Sequence, residues 1–348
     1  MKQLFKLLAL VLAPLVIALS AQAAEKPSEI RVANPGVGVG NRPVVGGSAW
    51  SLLNLNSALE SEFKSDGVPV RWNFLRGAGP AVNETYANGL TDFSLLGDLP
   101  SIIGRAGGLK TRILASGPKS NLYIAVPADS PIQSVKDLKG KRFAVFKGTC
   151  LQLSAARILE ANGLSERDTR AINMDNATTK AALATKDVDA AIGGPDLLAQ
   201  RDQGIVRIIY STKGDPRYTC NSTIIGSDDF IRKYPEITKR VVRQYVLAAK
   251  WLADQEKDLS AAYRVWSRSG VPFAAFKEDW AGESVRDRDS PLVDAYVIAR
   301  YKTSIADAKR LGLIRTTFDF EPWVDRSFLD QVLREEKLEG FWKPRTLP

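Results

Sequence analysis

The chain has 348 residues, with 48 lysines and arginines against 39 aspartates and glutamates, two cysteines and no histidine. Without histidine, serine–histidine hydrolysis, cysteine–histidine chemistry and histidine-rich metal sites are excluded in their usual forms. The formal surplus of +9 is scattered rather than bunched, which argues against nucleic acid as a partner and for solubility or a positive field that draws in small anions.

Residues 1–23 read as a secretory signal peptide. Lys2 and Lys6 form its charged region, residues 7–19 are apolar, and Ala21 and Ala23 supply small residues at the cleavage positions. The apolar run is short for a membrane span, and no later stretch reaches spanning length. The mature protein is therefore expected to be soluble outside the cytoplasm, where Cys150 and Cys220 suggest a single disulfide. Removing Lys2 and Lys6 leaves +7. The remaining roughly 325 residues exceed what one core usually serves, so two lobes are expected.

A first strand covers residues 30–33, and a loop rich in glycine and proline, 34–47, runs into a helix that Gly46, Gly47 and Ser48 open. Ser48 is the natural N-cap, and Trp50, Leu53, Leu55 and Leu59 carry the helix to Phe63. Strand 70–74 follows, then the turn 76–80 and a helix bearing Val82 and Tyr86. Strand 91–96 leads through Gly97 and Asp98 into another helix, and 111–115 is a further strand. Residues 121–126 read as an extended crossover closed by Pro127.

Strand 143–146 is then broken by Lys147, Gly148 and Thr149, and a helix follows with Leu151, Ala155, Ile158 and Leu159 on one face. A helix at 178–185, a strand at 188–192, a turn at 193–196 leading into a helix, and a strand at 206–210 complete the region. Residues 220–226 look like the return crossover. Beyond it the chain becomes helical, at 231–255, 259–268, 273 onward, 291–311 and 326–337, with the tail 342–345 as an exposed end. These helices have no strands of their own and are expected to cover the first lobe.

The alternation places a glycine-bearing turn after strand upon strand, where open α/β sheets hold ligands. Helix starts after Thr149 and Ser48 leave amides unpaired and present the positive end of a dipole, so two such starts facing one gap would hold an anion. Each turn has a plain reading too. Asp98 either caps its helix or meets a ligand, Trp50 either walls the gap or fills the core, and Arg286 and Arg288 either reach an anion or pair with Asp287 and Asp289.

Taken along nearly the whole mature chain, the arrangement resembles the periplasmic solute-binding proteins of ABC importers, in the group for nitrate, sulfonate and taurine. The segments that carry the resemblance are RWNFLRGAGPAVNETYANGLTDFSLLGD, SPIQSVKDLKGKRFAVFKGT, AALATKDVDAAIGGPDLLA, YVIARYKTSIADAKRLGLI and FEPWVD. The resemblance implies an α/β chain of the two-lobed type II periplasmic-binding-protein fold, each lobe a mixed sheet flanked by helices, joined by a two-strand hinge. The first lobe would comprise 29–120 and 226–348, and the inserted second lobe 121–225. It implies a monomeric periplasmic binding protein that is not an enzyme, needs no metal or cofactor, and delivers a small sulfonate-like anion to a membrane permease.

Carried across by position, the implied contacts are Gly47, Ser48, Ala49, Trp50, Ala78, Gly79, Pro80, Gly97 and Asp98 from the first lobe. Thr149, Cys150, Pro195, Asp196 and Asn221 come from the second, and Arg286 is a further charged candidate. The chain departs from the family's pattern in its longer first loop, in Gly193-Gly194 where relatives often carry tryptophan and aspartate, and in its cysteine pair. The fold is shared with a cysteine-dependent desulfinase. A reduced Cys150 at a helix start would be activated as a nucleophile, which is the competing expectation.

Overall fold

The computed structural model describes residues 25–346, so the expected leader lies outside the described residues. Among them, ten strands form two five-stranded sheets of one plan. In chain order the strands are β1 (Ile30–Asn34), β2 (Val70–Phe74), β3 (Phe93–Gly97), β4 (Thr111–Ser120), β5 (Tyr123–Pro127), β6 (Arg142–Val145), β7 (Arg170–Asn173), β8 (Ala190–Gly193), β9 (Val206–Ser211) and β10 (Cys220–Ser227). The sheet orders are β2-β1-β3-β10-β4 and β7-β6-β8-β5-β9. In the first sheet β10 runs against both its neighbours, and in the second β5 does the same. Each antiparallel strand is the one that arrives from the other sheet, so the chain crosses twice, at 121–122 and at 212–219. This is the mixed two-sheet α/β architecture that the resemblance implies.

The helices are α1 (Ala49–Leu55), α2 (Ala58–Phe63), α3 (Ala78–Ala87), α4 (Asp98–Ala106), α5 (Cys150–Ala161), α6 (Asn176–Thr185) and α7 (Asp196–Asp202), followed by α8 (Asp228–Lys233), α9 (Pro235–Asp254), α10 (Ser260–Trp266), α11 (Phe273–Trp280), α12 (Val285–Arg288), α13 (Ala295–Arg310) and α14 (Ser327–Glu335). Both faces of each sheet are covered. Ile30 and Val32 of β1 enter one core and Ala33 the other, while Ile124 and Val126 of β5 oppose Tyr123 and Ala125 in the same way. Burial on two faces is why these strands read as continuous apolar runs rather than alternating ones.

Several elements differ from the sequence reading. The helix expected over 48–63 breaks at Ser57, whose φ of 51° takes the chain through the left-handed region. The one expected over 231–255 breaks at Tyr234, because a residue before proline is pushed out of the helical region while Pro235 itself suits a first helical position. The helix expected from 291 starts at Ala295, behind an Asp294 cap. The stretch 220–226 is no mere crossover, since it pairs along its length inside the first sheet. Strand β7 was not anticipated: Arg-Ala-Ile-Asn is a short, half-exposed edge strand with little apolar signal. The tail is not an exposed end either, because Trp342 is 3% and Arg345 8% exposed, with Arg345 held by Asp294 at 2.8 Å. Nor do the late helices cover the first sheet alone: α11 places Phe276 in the first sheet's core and Ala275 in the second's.

Candidate functional site

A cleft of about 340 Å³ lies between the carboxyl ends of the two sheets. From the first sheet come the loop after β1, running from Pro35 to Asn41, with Gly46 beyond it, and Arg76 and Ala78 after β2. From the second come Phe146 after β6, Asp175 and Lys180 around the start of α6, and Gly194, Pro195 and Asp196 after β8. Val271 and Phe276 complete an apolar wall. Every strand that feeds the gap does so at its carboxyl end, which is where an α/β sheet collects backbone amides and helix starts.

Two ion pairs dominate the electrostatics. Arg76 reaches across the gap to Asp175 at 2.9 Å, and Lys180 pairs with Asp196 at 3.0 Å. Asp175 is also the N-cap of α6, accepting from the Thr178 amide at 2.8 Å. Partial burial pulls its carboxyl upward, but the Thr178 amide and the Arg76 guanidinium outweigh this and hold it below the usual range.

Of the residues expected to meet a ligand, Ala78, Pro195 and Asp196 line the cleft. Gly47 lies beside the lining residue Gly46. Ser48 caps α1 through the Ser51 amide, the Ala49 amide donates to Asp289 Oδ2 at 2.7 Å, and Trp50 is fully buried against Trp72 and Tyr245. The start of α1 is therefore filled from inside by a carboxylate of the protein itself. Gly79 packs on Pro100, and Pro80 packs on Gly148 across the two sheets, close enough that a Cβ on Gly148 would stand 2.8 Å from the proline ring. Gly148 also has a φ of 73°, so glycine is required there twice over.

Asp98 turns away from the gap. It is 2% exposed, accepts from Ser304 Oγ at 2.9 Å, and burial raises its pKa against the opposing pull of Arg157 and Ser304. Gly97 lies against the cysteine pair, where a Cβ would be 3.4 Å from Cys150 Sγ. Thr149 caps α5 with its hydroxyl accepting from the Leu151 amide and donating to the Phe146 carbonyl. Asn221 is held by Tyr296 and Thr219. Arg286 lies outside the cleft, with its guanidinium 4.3 Å from the centre of the Phe341 ring.

Arg76, Phe146, Asp175 and Lys180 were missed as candidates. Arg76 opens a turn that reads by its glycines, and the helix expected at 178–185 begins two residues earlier, at Asn176, so that Asp175 is its cap and Lys180 lies in its second turn. The signal available was Asp175 itself, an N-cap residue type immediately before the helix.

Cys150 and Cys220 are joined in a disulfide, and no free cysteine exists among the described residues. The thiolate that a desulfinase-like reaction requires is thus tied up, which overturns the competing expectation.

The family profile described as NMT1/THI5 like matches residues 63–258. A Bacillus subtilis (strain 168) protein, provisionally named aliphatic sulfonates-binding, is 25% identical over 288 residues, covering 81% of this chain and 83% of its own. The crystal structure of SsuA from Methylobacillus flagellatus KT, described as a periplasmic sulfonate-binding protein of a provisionally assigned sulfonate ABC transporter, is 32% identical with a TM-score of 0.77. It covers 92% of this chain and 98% of its own. The desulfurization enzyme DSZB, 20% identical with a TM-score of 0.65 over 88% of this chain and 99% of its own, shares the fold alone. The first two relatives are binding proteins, and this chain stands with them as a non-enzyme. With a profile that spans more than half of its length, the chain belongs to the NMT1/THI5-like family.

Proposed function

We propose that the protein is the extracytoplasmic substrate-binding component of an ABC importer, that it takes a small organic sulfonate between its two lobes, and that it hands the solute to a membrane permease. The observation that carries this is the cleft itself, lined from both sheets at their carboxyl ends. Its support from outside the chain is the 32% identity, over 92% of the sequence, to a structure described as a periplasmic sulfonate-binding protein. Export through a cleaved leader and a periplasmic location belong to the same reading, as does a monomeric state. Among the described residues no helix is long and apolar enough to cross a membrane.

The shape of the cleft favours a sulfonate with an organic tail over nitrate. About 340 Å³ falls in the range of pockets that hold small organic ligands, and Val37, Val39, Phe146, Val271 and Phe276 give such a tail apolar contacts. Of the candidate contacts, Ala78, Pro195 and Asp196 are proposed to touch the ligand. Ser48, Trp50, Gly79, Pro80, Gly97, Asp98, Thr149 and Asn221 are proposed to support the surrounding frame. The division into a first lobe of 29–120 and 226–348 and an inserted lobe of 121–225 is supported by strand membership, with 220–225 better counted in the first lobe because β10 pairs there.

A thermal-shift screen over butanesulfonate, taurine, sulfate, nitrate and butanoate tests the reading. The expected result is a rise in melting temperature of several degrees with the sulfonates and little or none with butanoate. A screen in which no sulfonate raises it would overturn the assignment.

A further inference from the structure

The Arg76–Asp175 pair has an asymmetry that the binding reading leaves unused. Asp175 is fixed to its own helix: Oδ1 accepts from the Thr178 amide at 2.8 Å, and this cap holds whatever happens to Oδ2. Arg76 has no comparable anchor. Its hydrogen bonding among the described residues goes to Asp175 Oδ2 alone, at 2.9 Å, and its side chain is 53% exposed at the mouth of the cleft. An ion pair so exposed contributes little. The guanidinium is therefore weakly held, already in the cleft, and shaped for two parallel hydrogen bonds to an oxyanion.

Lys180, the other cation that lines the gap, is in a different position. It and its partner Asp196 are 23% and 21% exposed, so the pair is better shielded on both sides, and a lysine presents no planar fork to an oxyanion.

We propose that Arg76 receives the anionic group of the ligand and that Asp175 is its resident competitor, so that binding is an exchange of one counter-ion for another. The proposal deepens the sulfonate reading and rests on it. The carboxylate occupies the oxyanion's place on Arg76 when the cleft is empty and stays beside the cleft when the ligand enters. It lowers affinity in both states, by competition first and by like charge afterwards. Asp175 then acts as an affinity-setting residue. It raises the threshold for any anion that offers the cleft only a charge, while a ligand whose tail also fills the apolar wall overcomes it. An opposite arrangement would have the pair act as a latch that favours closure, and the two predict opposite signs for one substitution.

Isothermal titration of butanesulfonate, sulfate, nitrate and butanoate into the wild type, Asp175→Asn, Arg76→Gln and the double variant distinguishes them. Asparagine caps helices as well as aspartate does, so Asp175→Asn keeps α6 and removes only the charge. Exchange predicts that Asp175→Asn binds butanesulfonate roughly twofold to fivefold more tightly. It also predicts that Arg76→Gln binds it roughly tenfold to a hundredfold more weakly, and that the double variant is no tighter than Arg76→Gln alone. Melting temperatures within a few degrees of the wild type establish that the variants are folded. Unchanged or weaker binding by Asp175→Asn, or full affinity in Arg76→Gln, overturns the exchange while leaving the sulfonate reading standing. A wild type that binds none of the four anions overturns that reading and the exchange with it.

Discussion

The Ala49 amide at the start of α1, where an outside anion was expected, already donates to Asp289 Oδ2, and the Tyr245 hydroxyl lies 3.1 Å from Oδ1. Burial pushes the Asp289 carboxyl up to about 6, against the opposing pull of the Ala49 amide, Tyr245, Arg288 and Arg345. The folded value stands above the ordinary carboxylate range. The stability this group contributes is therefore present below about pH 4 and lost as pH rises through about 6, on the order of 3 kcal/mol in all. Asp289→Asn removes the titration and keeps an acceptor for Ala49, while Tyr245 can still donate to the Ser116 carbonyl at 2.9 Å. Denaturant unfolding at pH 4 and pH 7 should show the wild type losing ground to the variant as pH rises. A difference that stays level across that window would mean the carboxyl titrates normally.

Helix α5 packs on β6 and β8 of the second sheet, yet it is fastened to the first by three kinds of bond. Cys150 at its start is joined to Cys220 at the start of β10, with Gly97 of β3 against the sulfurs. Leu153 enters the core on one face of the first sheet. Arg157, 7% exposed, donates to Asp307 at 2.8 Å and Ser304 at 3.0 Å on α13, and Arg310 of α13 returns to Glu160. The residues closed by the disulfide are 70 apart, for which the chain-entropy model gives about 4 kcal/mol of stabilisation through the unfolded state. Replacing both cysteines by serine should lower the unfolding free energy by an amount of that order in denaturant melts. Iodoacetamide should leave the unreduced wild type unmodified. Labelling of Cys150 without reduction, or a double variant as stable as the wild type, would show that the bond does not form in solution.

Two sheets of one plan, exchanging one antiparallel strand each, make a molecule whose halves are linked by the short segments 121–122 and 212–219. A ligand held by groups of both sheets has its full contact set only when the halves are together, so binding shifts the population toward closure. Small-angle scattering should therefore record a smaller radius of gyration on addition of butanesulfonate and no change with butanoate. An unchanged curve at saturating sulfonate would remove closure from the account while leaving binding intact.

Read from local pattern alone, the chain yields the alternation of strands and helices, the turns at the carboxyl ends of strands and the pairing of the two cysteines. Each of these depends on residues a few positions apart, or on the simple fact of there being only two thiols. Ala78, Pro195 and Asp196 are candidates through the family resemblance, and each stands in a turn whose composition is visible in the sequence. Which turns face one another is a different matter. Ser48 and Trp50 sit beside a turn as promising as any, but Asp289, 240 residues after Ala49, fills it from within. Tyr296 and Asp294 hold down Asn221 and a tail that looked free. The pair that crosses the cleft joins residues 99 positions apart, one on a loop read for its glycines and the other before a helix whose preceding strand left little apolar signal. Sequence determined the set of anion-ready helix starts, and tertiary structure alone decided which were already occupied, because an internal carboxylate competes for the same amides as a ligand and its arrival depends on contacts that no local window contains.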